Sequence, residues 1–133
     1  MSIESVLTTK ILATPGITAL IGSRFHWDVV PQDTALPYVI AINVSDVPEH
    51  THQGEINMRS PMIQFTAYAA TKVAAAAVAT QIKTALSDYQ GTLTDVYVHH
   101  TMLANEFSSC DKTADGTQTI FFHDLEYEVC YQK

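Results

Sequence analysis

Apolar positions follow two different periods along this chain. At its start Ile3, Val6, Leu7 and Ile11 recur at helical spacing, behind Ser2 in N-cap position and Glu4 in the first turn. The pattern predicts a helix over Ile3–Ala13, stopped by Thr14-Pro15-Gly16. Pro15 also suits the first turn of a short second helix, with Ile17, Leu20 and Ile21 apolar and Gly22 free to take a positive φ. Arg24–Trp27 reads as a brief strand, and Val29–Ala35, with Pro31 and Asp33, as a loop.

From Tyr38 the period changes to two. Tyr38–Ser45 is β-branched and aromatic, with Ile40, Ile42 and Val44 alternating, and predicts a strand. Asp46–Arg59 holds Pro48, Gly54, two His and mixed charges without apolar period, so a long exposed loop or arm is expected. Met62–Ala69 alternates again, with Ile63, Phe65 and Ala67 on one side, and should pair with Tyr38–Ser45. Thr71 can cap an Ala-rich helix running to Tyr89, with a stripe of Ala74, Val78, Ile82, Ala85 and Leu86 and Gly91 as its stop. Leu93–Met102 and Thr117–Tyr131 read as a wide antiparallel pair, with Asp115-Gly116 as turn signal. On the last strand Phe121, Leu125, Tyr127, Val129 and Tyr131 share one face; Ile120, Asp124, Glu126, Glu128 and Cys130 share the other. The order predicts a single α+β domain over residues 1–133, a mainly antiparallel sheet with two main helices packed on one face.

Composition narrows the function. The 133 residues are 47% hydrophobic and 16% charged, which suits a folded domain and argues against disorder. A formal charge of −7 leaves no basic face for reading duplex DNA. The longest apolar run, Val73–Ala79, is far short of the roughly 20 residues that cross a bilayer, so no membrane partner is expected. The first residues lack a signal-peptide pattern, which points to synthesis in the cytoplasm. Cys110 and Cys130 have neither disulfide-scaffold nor zinc-site spacing and are read as free thiols.

Candidate chemistry is thin. Gly16 to Gly22 lacks the lysine and spacing of a phosphate loop, and no G-x-S-x-G elbow is present. Ser108-Ser109-Cys110 lies near His99-His100 in sequence without matching a nucleophile template, and alternation places those two imidazoles on opposite faces. His50 and His52, with Glu49 and Glu55, offer ligand types for a divalent metal, but solvated loop residues explain them more simply. Glu126 and Glu128 would set carboxylates roughly 7 Å apart, which equally describes an ordinary charged strand face. Met58, Met62 and Met102 read as core filling. No enzyme activity, cofactor or metal is expected.

Pro15-Gly16-Ile17-Thr18-Ala19-Leu20-Ile21-Gly22-Ser23-Arg24, Leu36-Pro37-Tyr38-Val39-Ile40 and Gln64-Phe65-Thr66-Ala67-Tyr68-Ala69 before an Ala-rich helix together resemble the bacteriophage tail terminator family, also called tail completion or head-to-tail joining proteins. The resemblance extends to the strand Asp124–Val129 and rests on segment order. It implies an α+β subunit in a hexameric ring at the head-proximal end of the tail tube, made in a bacterial host. Tube growth ends there, and a surface is offered for head-tail joining. The implied partners are tube and connector proteins, with DNA passing through unread. A head-tail connector adaptor or tube-associated protein is the nearest alternative, and a small metal-dependent enzyme a more distant one. Interface candidates are Glu49, His50, His52, Glu55 and Arg59 on the arm, and Glu126 and Glu128 on the charged strand face.

Overall fold

The computed structural model describes residues 3–31, 34–45, 48–51, 54–87, 89–93, 96–112, 116 and 118–132. The first helix, α1 (Ile3–Leu12), buries Ile3, Val6, Leu7 and Ile11, the predicted stripe. Its expected cap, Ser2, lies outside the described residues. Then α2 (Pro15–Ile21) begins on Pro15 and buries Ile17 and Ile21. Gly22, at φ +61°, ends it in the left-handed region that glycine enters without strain.

Strands β1 (Phe25–Trp27) and β2 (Tyr38–Ser45) run parallel, Phe25 opposite Val39. The indole Nε1 of Trp27 donates to Thr8 Oγ1 at 2.7 Å, tying the β1 edge to α1. The predicted arm is not a loop. It holds β3 (Pro48–Thr51) and β4 (Gly54–Arg59), paired antiparallel, and β5 (Met62–Ala69) follows. Since β2 pairs with β5 and β3 with β4, the segments form one long hairpin whose far end is the arm. The main neighbours of β3 and β4 are each other and the end of β8. Antiparallel backbone pairing links the two strands of this end.

Thr71 caps α3 (Lys72–Leu86), its side chain accepting from Ala74 N at 3.1 Å. The buried stripe is Ala75, Val78, Ala79, Ile82 and Leu86, turned slightly from the predicted one, and Ala74 is only half-buried. The helix stops at Ser87, not Gly91; Gly91 opens a short strand, β6 (Gly91–Leu93). Thr101 Oγ1 donates to Leu86 O and accepts from Tyr89 N, which docks the helix end onto the sheet.

The remaining strands, β7 (Val96–Lys112) and β8 (Thr119–Gln132), pair from Tyr97↔Gln132 to Lys112↔Thr119. Thus β7 continues well past the predicted end at Met102, through a polar stretch whose pairing β8 dictates. Asp115, half of the expected turn signal, lies outside the described residues; Gly116 has φ +71°. The sheet is mixed, antiparallel except for β1–β2. It carries the helices on one face, where Phe65, Leu125, Tyr127 and Val129 join the helix residues in one core.

Candidate functional site: the helix-free face and the arm

The second sheet face is built by the alternate residues of the same strands. Across it run the registers Ile42–Gln64–Glu126–Asn105 and Ile40–Thr66–Asp124–Phe107. Above them lies Tyr38–Tyr68–Phe122–Ser109, and below them Ser45–Met62–Glu128–Met102. Glu126 and Glu128 are therefore brought together at the centre of this face, both half-buried.

Sequence reasoning missed Asp124 as the unusual member of that row. It is only 4% exposed, and its Oδ1 has no hydrogen-bond partner among the described residues. Tyr38 and Tyr68 stack with centroids 5.1 Å apart, and Phe122 lies 5.7 Å from Tyr68. Burial, then the nearby Asp124 carboxylate and Tyr38, push the Tyr68 phenol above its ordinary pKa. An Asp on a charged-looking strand gives no sequence signal of such burial, because its cover comes from strands distant in the chain.

Along the hairpin the arm continues beyond this row. His50 stands opposite Glu55 in the β3–β4 register, Glu49 precedes it on β3, and His52 lies outside the described residues. Arg59 ends β4 between Pro48 and Tyr131 and is half-buried. Among the described residues no three His, Cys, Asp or Glu side chains cluster closely enough to hold a metal ion. Cys110 is exposed, Cys130 is buried, and both are free thiols. Met102 is 52% exposed, so its expected core role is wrong; β8 turns it to the helix-free side opposite Glu128.

Two further groups were not legible in the sequence. Glu106 takes Lys83 Nζ at 3.0 Å and His123 Nε2 at 2.6 Å, and these hydrogen bonds, His123 first, hold its carboxyl below the ordinary value. The three residues are far apart in the chain. A cleft of about 180 Å³ lies where α3 begins beside β7 and β8, lined by Lys72, Ser108, Ser109, Cys110 and Phe121. The described residues that line it offer hydroxyls, a thiol and one ammonium, and among them is no carboxylate or imidazole to activate these groups. No described helix is long and apolar enough to cross a membrane.

Comparison with solved structures finds a chain from the "Virion of native gene transfer agent (GTA) particle", with TM-score 0.77 and 17% identity, covering 99% of this chain and 96% of that one. That likeness establishes the fold. No curated protein matches the sequence significantly. The family model described as "Tail completion protein gp17" matches residues 5–132, in agreement with the resemblance drawn from segment order. Because that match takes in both the helix-covered core and the helix-free strand row, this chain belongs to the gp17 tail completion protein family, and its place is the tail of a phage virion.

Proposed function

We propose that the chain acts as a structural ring protein: six copies close at the head-proximal end of the tail tube, stop its growth and present the surface that joins the head. The observation that carries this reading is the family match over residues 5–132. Residues 1–133 work as one unit in this reading, without catalysis. Tube and connector proteins are the partners.

The arm residues Glu49, His50, His52, Glu55 and Arg59 contact a neighbour or an adjacent ring. Glu126 and Glu128 line either the channel or a polar seam between subunits. Several copies of a −7 subunit would give the channel an acidic wall that repels DNA and lets it pass.

Negative-stain imaging and native mass measurement of the purified protein, alone and with tube protein, test the reading. Rings of one fixed symmetry capping the tubes are expected; a protein that stays monomeric in both conditions overturns it. Deleting Glu49–Asn57 should leave the subunit folded and stop ring assembly or tail maturation. Deletion tails that join heads normally would remove the arm from the proposal.

A further inference from the structure

We infer that successive subunits join by strand addition, the free outer edge of β7 in one copy pairing with the β1/β2 edge of the next, so that the sheet continues between copies. This rests on the ring reading above and names its contact.

The starting observation is an unprotected edge. On its outer side β7 is covered by β6 only at Val96–Val98, and from Thr101 to Lys112 no described strand lies there. Past the irregularity at Leu103/Asn105 the pairing with β8 is regular to Lys112, and every β7 residue from Ala104 onward is exposed. Such an edge presents a row of backbone N–H and C=O groups to another strand. Proline is absent from it, and its one lysine is the last residue, Lys112. Ordinary soluble proteins interrupt so long an edge; one left open fits a strand-adding partner.

Why that partner is a second copy follows from polarity and from where the apolar side chains stand. Going across the sheet, β1 and β2 run together, β5 against them, β8 with them and β7 against them. A copy placed with its β1/β2 edge against β7 therefore meets it antiparallel, the more stable pairing. At the opposite edge β1 covers β2 only at Val39–Ala41, leaving Ile42–Ser45 without a described outer strand. Among the described residues, the exposed large apolar side chains of the sheet stand on these two edges. Met102 (52% exposed) and Phe107 (44%) belong to β7, and Ile42 (38%) and Val44 (55%) to β2. The polar row of Gln64, Thr66, Glu126 and Glu128 lies between them. Joining unlike edges brings Met102 and Phe107 beside Ile42 and Val44 of the next copy, the cross-strand apolar contact that stabilises a sheet. Unlike edges also form the repeating contact from which rings close.

The test uses the full chain with Cys110→Ser, to remove the exposed thiol, and a short bis-maleimide cross-linker. Phe107→Cys and Val44→Cys should each give no cross-link alone, a dimer when mixed, and a ladder of oligomers when combined in one chain. Phe107→Lys should weaken assembly at least tenfold with an unchanged thermal midpoint. Dimers from Phe107→Cys alone would mean that β7 pairs with β7 and would overturn the inference. So would cross-linking of Phe107→Cys to tube protein in place of a second copy. Assembled wild type with no ladder from the double variant overturns the edge contact and leaves the ring standing. Wild type that stays monomeric, with or without tube protein, overturns both.

Discussion

The two faces of β8 show opposite solutions to the same backbone. Toward the helices Leu125, Tyr127 and Val129 have no exposed surface, and each fits against partners supplied by this chain. On the other side, one residue along, Glu126 and Glu128 are half-buried and Asp124 is buried with an oxygen that the described chain leaves unpartnered. The first face is completed by folding. The second carries polar groups and edge apolar residues that the described residues leave partly exposed, and it is the face that the proposed ring would complete.

Truncation on the two sides should separate them most sharply. Tyr127 packs edge-on to Phe65 at 6.1 Å and shares a hydrogen bond with Ser87 at 2.9 Å. Tyr127→Ala should cost about 3–5 kcal/mol, read by urea unfolding. A loss under about 1 kcal/mol would show that this core repacks freely.

Asp124→Val should act in the opposite direction, leaving stability unchanged or raising it by up to about 2 kcal/mol, because an unpartnered buried acceptor is removed. The same substitution removes one cause of the raised Tyr68 pKa, so ultraviolet titration should show that phenol ionising at lower pH. A large destabilisation would mean that Asp124 makes a bond essential to the fold.

Glu106 tests the helix-covered side by pH. Its pKa in the folded protein is depressed below the ordinary 4.5, chiefly by His123 and then by Lys83. Its contribution is therefore complete above the unfolded value and is lost as pH falls through the lower folded value. Solvent reaches this group, so Glu106→Gln should lower neutral-pH stability by less than about 1 kcal/mol and flatten the acid limb of the stability curve. An unchanged limb would assign the acid sensitivity elsewhere.

The smallest effect on folding is expected from Glu126→Lys with Glu128→Lys, within about 0.5 kcal/mol. Ring strength or DNA ejection should nevertheless change, more strongly at low salt. Unchanged assembly and infectivity at low salt would return both residues to plain surface.

What could be read from the sequence followed from the same asymmetry. Met62–Ala69 and the last strand announce themselves because one side of each must meet the helices, which imposes a period of two. Tyr38–Ser45 was legible from Ile40, Ile42 and Val44, which stand on the helix-free face, while Val39 and Ala41 are its core residues. The segment read as a loop holds β3 and β4, paired with each other, and β7 beyond Met102 is a strand whose pairing comes from β8 and not from a buried face of its own. Residues such as His50 and Glu55, opposite one another across a ladder, carry no apolar alternation to reveal it. The charged row of Glu126 and Glu128 was visible. The burial of Asp124 beside them depends on β5 and β7 register and was not.

The β7–β8 ribbon also has a mechanical meaning. A pull along the strands shears its rungs together, from Tyr97↔Gln132 to Lys112↔Thr119, and the load is shared. A sideways pull at the far end opens the rungs one after another, and each gives way at low force. A joint built on this ribbon is stiff in one direction and compliant in the other.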